Sequence, residues 1–306
     1  MLFRSRDKVD IVTGVTFSNV MMAMAKPLAD SKAVFVGSNA GPAPLAGAQC
    51  NANFFFTSWQ NDMQSEAVGK YATDKGYKNV YIMAPNYQSG KDNVAGFKRY
   101  FKGGLSGEVY TTVNQPDYSA EIAQMQSAKP DALFVFYPGG MGVNFVKQMR
   151  QAGLLGQIPL LSVSTTDGST LPALKETALG VISGTFWGPD FNNPASKKFV
   201  ADFEKKYSRI PSQYAAQAYD SALLIDSALK KTGGKATDKA ALTNALRAAD
   251  FKSVRGNFRF NKNGFPIQDM HVFEVAKDSA DRVSLKTVST PLKNLSDPYV
   301  TDCPLK

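Results

Sequence analysis

The sequence predicts an α/β protein whose parallel sheets are covered by helices on both faces. Two observations lead there. Short apolar runs recur at residues 9–13, 33–37, 80–84, 108–113, 132–137, 159–162 and 181–187. Longer segments with helical spacing lie between most of them, and that alternation specifies parallel strands joined by helical crossovers. A third observation, the length of 306 residues, fits about two domains.

The elements follow in order. The first strand, Val9-Asp10-Ile11-Val12-Thr13, begins almost at the start of the chain. Helical sets are Val68, Tyr71 and Ala72; Val94, Phe97 and Phe101; Ile122 and Met125; and Phe145, Val146 and Met149. Gly76, Gly153 and Gly233 follow helical segments and suit left-handed C-caps. Asp117 or Ser119 supplies a helix start. After Trp187 the rhythm changes to three amphipathic helices, 195–207, 214–231 and 238–249. A β-rich end follows, with strands at 256–260, 270–275 and 283–288 and a turn at 261–264, where Asn263-Gly264 is a hairpin signal. Residues 289–306, with three prolines and Cys303, read as a surface strap.

Composition excludes several classes. With 35 Lys+Arg against 26 Asp+Glu the net charge is +9, yet the basic residues are scattered singly or in pairs. No run of five exists and no nucleic-acid-binding motif appears, so a solvated basic surface is expected and no nucleic-acid partner. The longest apolar stretches, such as 132–137, fall far short of the roughly 20 residues a membrane-spanning helix needs. His271 is the sole imidazole, so no two-His metal site can form, and two Cys cannot build a zinc ribbon. No metal or cofactor is expected. Met1-Leu2-Phe3-Arg4-Ser5 lacks the apolar core of a signal peptide, and residues 2–5 match what a sequencing adapter would encode.

Enzyme templates are absent as well. There is no Gly-x-x-x-x-Gly-Lys-Ser/Thr loop and no Gly-x-Ser-x-Gly elbow. Gly139-Gly140-Met141-Gly142 lacks the full dinucleotide spacing, and His271 reads as a core or edge histidine of a strand. The ends of the strands carry a different signal. They hold Thr16-Phe17-Ser18-Asn19, Ser38-Asn39-Ala40-Gly41, Asn86-Tyr87-Gln88, Tyr137-Pro138-Gly139-Gly140 and Ser164-Thr165-Thr166-Asp167. Open parallel sheets bind ligands outside those ends, where helix N-termini offer free N–H groups. Each segment alone is an ordinary cap or turn; five together describe a cleft for a small polar ligand without catalytic groups.

Further stretches run through the chain in a telling order: Val12-Thr13-Gly14-Val15-Thr16-Phe17-Ser18, Pro44-Leu45, Asn79-Val80-Tyr81-Ile82-Met83, Asp117-Tyr118-Ser119, Lys129-Pro130-Asp131-Ala132, Gln151-Ala152-Gly153-Leu154 and Tyr214-Ala215-Ala216-Gln217-Ala218-Tyr219-Asp220. In that order and spacing the chain resembles the periplasmic solute-binding proteins of ABC importers, of the leucine/isoleucine/valine-binding type. Phe54-Phe55-Phe56 with Trp59-Gln60-Asn61-Asp62, and residues 137–142, resemble the branch that binds aromatic carboxylates.

The resemblance implies the type I periplasmic binding protein fold: two doubly wound parallel-sheet lobes joined by a three-crossover hinge. Lobe one would hold 6–62 and 191–267, lobe two 63–190 and 268–288, and 289–306 the strap. The strand–helix–strand unit that normally precedes Arg6 is absent, so a truncated protein is expected, lacking a loop that usually contributes ligand contacts. From lobe one the ligand would meet Ser18, Asn19 and the backbone of Asn39, Ala40 and Gly41. Tyr87, Tyr137, Gly139 and Thr165 would close over it from lobe two, with Trp59 and Tyr214 as aromatic walls. Tyr214 fits equally as a core residue beside Tyr219. Ser164 stands where amino-acid binders of this type can carry an acid, which favours a plain carboxylic acid over an amino acid.

A periplasmic setting permits a disulfide between Cys50 and Cys303, the alternative being two free thiols. The implied function is capture of a small carboxylate by a monomer that docks, closed, on the membrane permease subunits of an importer. The alternatives are a branched-chain amino acid or amide as ligand, or a sensor ectodomain on the same fold.

Overall fold

A computed structural model describes residues 8–306. The expectations for residues 1–5, and the start of lobe one at Arg6, lie outside the described residues.

Two sheets divide the chain. The first is β1 (Ile11–Gly14), β2 (Val34–Gly37) and β3 (Phe54–Phe56), parallel and in that order. The second is eight-stranded, in the order β11–β10–β8–β7–β6–β4–β5, with β9 paired to β10. Here β4 (Asn79–Pro85), β5 (Gly104–Thr111), β6 (Ala132–Phe136), β7 (Leu160–Val163) and β8 (Ile182–Thr185) are parallel. β10 (Pro266–Lys277) closes that edge antiparallel to β8, to β9 (Arg259–Phe260) and to β11 (Val283–Leu295). The fold is therefore the α/β arrangement of helix-covered parallel sheets that the alternating pattern predicts, divided into two sheets as the resemblance implies.

Helices cover both faces of each sheet. On the first sheet, Met21, Ala25 and Leu28 of α1 (Ser18–Ser31) pack on Phe35, Phe54 and Phe56. The opposite face, Val34, Val36 and Phe55, is covered by α9 (Gln213–Lys231) and α10 (Lys239–Arg247). On the second sheet, α3 (Asp62–Asp74) and α4 (Gln88–Tyr100) bury Val68, Ala72, Val94 and Phe97 against Ile82 and Phe134. α5 (Ser119–Ala128) and α6 (Gly140–Gln151) pack on the other side around Tyr118, Tyr137 and Phe145. Between the sheets, α8 (Pro194–Tyr207) brings Phe199 to Trp59, Phe186 and Trp187. The four-residue helices α2 (Ala43–Ala46) and α7 (Leu171–Leu174) complete the set.

Some boundaries differ from the sequence reading. Residues 289–295 continue β11, whose Leu295 pairs with Gln268, so the strap is confined to 296–306. The three residues of β3 are too few to show a period, yet they are the edge of the first sheet. The strand at 256–260 shrinks to Arg259 and Phe260, and β10 starts at Pro266. Asp117 accepts from the Ser119 N–H at 2.9 Å, and Tyr118 holds the N-cap position of α5. Gly76, Gly153 and Gly233 adopt φ of 78°, 72° and 60°, as left-handed caps require. His271 lies in β10, its Nδ1 2.8 Å from Thr290 Oγ1. A disulfide joins Cys50 and Cys303, 253 positions apart, with Cα atoms at 5.7 Å.

Candidate functional site

The C-terminal ends of the two parallel sheets face each other across a cleft. In the second sheet the strand order reverses between β4 and β6, the position at which open α/β sheets leave a crevice. The loops after these strands bring Tyr87 and Pro138-Gly139-Gly140 into the cleft. The loops after β1, β2 and β3 answer with Thr16 to Ser18, Asn39 and Ala40, and Trp59. Together they enclose a cavity of about 290 Å³.

Behind the cavity wall a hydrogen-bond network ties the loops of the two sheets together. Asn61 Nδ2 donates to Ser18 Oγ at 3.0 Å and to Asp92 Oδ2 at 2.8 Å. Asn61 Oδ1 accepts from the Gly41 N–H at 3.2 Å. Asp92, on α4, also accepts from the Ala43 N–H at 3.2 Å and from Gln88 Nε2 at 2.7 Å. Burial raises the Asp92 carboxyl to about 6, and the nearby charge of Asp62 adds to this. Asn39 spans the first lobe, donating to Thr16 O at 2.7 Å and accepting from Gln217 Nε2 at 2.7 Å.

The walls are aromatic. Tyr87 stacks on Phe136 with ring centroids 6.2 Å apart and meets Phe17 across the cleft at 6.3 Å. Trp59 lies 6.5 Å from Tyr214 and 5.5 Å from Phe186. Its segment is clamped by Arg255, which is buried over the Phe186 ring at 4.1 Å. Arg255 donates to Thr57 O at 2.6 Å and to Ser58 O at 3.2 Å, and pairs with Asp220 of α9 at 3.1 Å. Burial, reinforced by the charge of Asp167, holds the Tyr214 phenol well above its ordinary pKa. Tyr214 thus presents a neutral hydroxyl at any physiological pH.

Among the described residues no Asp, Glu, Lys or Arg lines the cavity; the Asp92 and Asp167 carboxyls lie behind Asn61 and Tyr214 of its wall. Helix N-termini stand in for charge. α1 opens at Ser18, α6 at Gly140 behind a Gly139 with φ of 61°, and α9 one residue before Tyr214. Converging N-termini favour an anion without a cationic side chain.

Seven of the eleven residues singled out from sequence meet here: Ser18, Asn39, Ala40, Trp59, Tyr87, Gly139 and Tyr214. Four do not. Asn19 is exposed on the outer side of α1, because the next residue in a helix turns about 100° away. Gly41 packs against Trp59, whose carbonyl would stand 1.9 Å from an added Cβ, and its N–H is taken by Asn61. Tyr137 points into the core between Tyr118 and Phe145, and its hydroxyl accepts from Thr111 at 3.2 Å. Thr165 is fully buried; its Oγ1 accepts from the Tyr137 N–H at 2.8 Å and so shapes the loop behind the wall. The backbone contribution expected of residues 39–41 is reduced too, since the Ala40 N–H donates to Val15 O at 3.1 Å.

A family model described as periplasmic binding protein matches residues 3–280. The chain belongs to the periplasmic binding protein family. Leu/Ile/Val-binding protein homolog 6 of Brucella melitensis is 28% identical over 284 residues, covering 89% of this chain and 71% of the relative. An ABC-transporter solute-binding protein from R. palustris, solved in complex with benzoate, aligns with a TM-score of 0.93 at 27% identity. That alignment covers 99% of this chain and 83% of the other. A second, from Rhodopseudomonas palustris BisB5 in complex with 3,4-dihydroxy benzoic acid, gives a TM-score of 0.87 at 27% identity over 97% and 82% of the two chains. A leucine-binding protein from Thermotoga maritima, at 20% identity and a TM-score of 0.81 over 94% and 81%, shares the fold.

In this periplasmic binding protein, sequence reasoning missed Gln64, Asn61, Asn93 and Phe136 on the cavity wall. Gln64 matters most: it is fully buried on α3, and neither its Oε1 nor its Nε2 has a hydrogen-bond partner among the described residues. The sequence does not single Gln64 out, because Asp62, Ser65 and Glu66 of the same helix are polar and buried as well.

Proposed function

We propose that this chain is the extracytoplasmic, periplasmic solute-binding component of an ABC importer, and that it captures a small aromatic carboxylate between its lobes. The observation that carries this reading is the uncharged cavity wall fed by helix N-termini. A carboxylate suits such a wall, whereas an amino acid brings an α-ammonium group that requires an anionic partner. The aromatic pairs Tyr87–Phe136 and Trp59–Tyr214 suit a flat ring, and two relatives at 27% identity were solved with benzoate and 3,4-dihydroxy benzoic acid.

In this reading Ser18, Asn39 and the α6 N-terminus at Gly139 hold the carboxylate. Tyr87, Trp59 and Tyr214 enclose the ring. Lobe one (to residue 62, and 191–267) and lobe two (63–190 and 268–288) clamp on the ligand, and the closed form is what the permease subunits recognise. The ligand bridges both lobes only when they are closed, so its binding energy shifts the open–closed population. Micromolar affinity corresponds to about 8 kcal/mol, attainable with a few charge-assisted hydrogen bonds and one enclosed ring. No covalent step enters.

The names of the curated relatives favour a second reading, a branched-chain amino acid as ligand. A thermal-shift screen separates the two: benzoate and its hydroxylated derivatives are expected to raise the melting temperature and leucine, isoleucine and valine to leave it unchanged. The reverse pattern rejects the proposal.

A further inference from the structure

A second cavity, of about 260 Å³, lies on the other side of the wall that closes the main cleft. Adjacent residues face opposite ways: Ser169 and Tyr214 look into the main cleft, while Gly168 and Gln213 look into the second cavity. Its walls are apolar, from Leu171, Trp187, Ile210 and Leu285. Its charged lining residues are Lys175 and Arg209, and among the described residues no carboxylate lines it. Both cations are exposed, and neither has an acidic partner among the described residues; Arg209 lies over the Phe203 ring at 5.8 Å.

Gln213 supplies an independent mark of a ligand. It is 3% exposed, lines the cavity, and its Nε2 is buried without a hydrogen-bond partner among the described residues. An unmet buried donor costs about 1–3 kcal/mol, so an acceptor is wanted there. Gln213 is also the first residue of the 19-residue α9, where the helix dipole is positive. A donor, a helix N-terminus and two cations without acidic partners among the described residues thus meet above an apolar floor.

From this juxtaposition we infer a second binding site, for an organic anion with an apolar body such as a medium-chain carboxylate. Its carboxylate meets Gln213 Nε2 and Arg209 or Lys175, and its hydrocarbon lies on Leu171 and Trp187. The occupant touches Gly168 and Leu171 in one lobe and Arg209 to Gln213 in the other, so it favours the lobe arrangement described here. Coupling between sites is reciprocal, hence an occupant of either cavity tightens binding at the other by the same factor. This site stands independently of what the main cleft holds.

The chain's two tryptophans make the test direct, because Trp59 lines the main cleft and Trp187 the second cavity. In a Trp59→Phe variant Trp187 is the only indole, and octanoate is titrated against its fluorescence, with octanol as the uncharged arm. Saturable change with octanoate is expected, weakened about tenfold or more in octanol and in a Lys175→Gln/Arg209→Gln variant. Both replaced side chains are exposed, so the variant keeps its fold. Saturating benzoate is expected to leave octanoate bound. The inference is overturned if Trp187 shows no saturable response up to about 10 mM, a range that covers weak millimolar sites. It is equally overturned if octanol binds as well as octanoate, or if benzoate displaces octanoate, which would place octanoate in the main cleft. Benzoate binding at the main cleft is read separately, in the wild type, where Trp59 is present; its absence there counts against the proposed function and leaves the Trp187 result to be read on its own.

Discussion

Gly168, in the loop after β7, lies so close to Ser212, the N-cap of α9, that an added Cβ on Gly168 would stand 2.7 Å from Ser212 Cα. The neighbour is backbone and cannot rotate away; with the lobe boundaries proposed above, this contact would be a stop at which the two lobes meet. A methyl group there is a wedge against closure. Gly168→Ala is expected to weaken ligand binding through the open–closed equilibrium, by about 5- to 150-fold if overpacking costs about 1–3 kcal/mol. Calorimetry checks the affinity, and small-angle scattering should show that more ligand is needed to compact the variant.

Glu66 and Asp92 make stability depend on pH in a definite direction. Burial raises the Glu66 carboxyl from 4.5 to about 7 even though Arg99 pairs with it, and it raises Asp92 to about 6. A carboxyl with a raised folded pKa keeps a proton that the unfolded chain has lost. The stability it contributes is therefore largest at or below about pH 4.5 and declines as pH rises to about 7. For Glu66 the span amounts to about 3 kcal/mol at most. The midpoint in urea is expected to be higher at pH 5 than at pH 8, and Glu66→Gln should flatten that slope; a wild-type midpoint that rises over this range contradicts the assignment.

The Cys50–Cys303 bridge anchors the last turn of the chain to the first lobe. In the strap, Tyr299 donates to Asp62 at 2.9 Å, and its ring lies 5.7 Å from the Arg99 guanidinium. Closing so long a loop restricts the unfolded chain, so Cys303→Ser is expected to cost about 2–5 kcal/mol. Reductant should lower the melting temperature of the wild type towards that of the variant and leave the variant itself unmoved.

Gln64 predicts a trade between stability and binding. Its amide is buried without partners at the cavity wall, an arrangement that costs the empty protein and awaits a polar group on a ligand. Gln64→Met is expected to stabilise the ligand-free protein by about 1 kcal/mol or more. It should also reduce the ligand-induced thermal shift, most of all for hydroxylated benzoates. A variant that is less stable without ligand would show that Gln64 has a structural role instead.

How much of this was legible in the sequence differs between fold and site. The alternation of apolar runs and helical sets gave the parallel sheets, because a strand buried on both faces and its crossover helix each impose a period on the chain. β3 escaped, since three phenylalanines display no period, and residues 289–295 escaped because Pro291 and scattered polar residues hide an edge strand. Strand ends located the cleft through its small polar residues. What they could not give is which way a side chain points: Tyr137 and Thr165 occupy the right loop yet face the core. Gln64 and Asn61 come from the segment after β3, and only the tertiary arrangement brings them beside Ser18.

The central claim, an uncharged cleft built for an aromatic carboxylate, is tested most directly by isothermal titration of the chain with benzoate and with leucine. Saturable binding of benzoate at roughly micromolar affinity, about −8 kcal/mol, with no heat from leucine is the predicted result. Leucine binding more tightly than benzoate would contradict it.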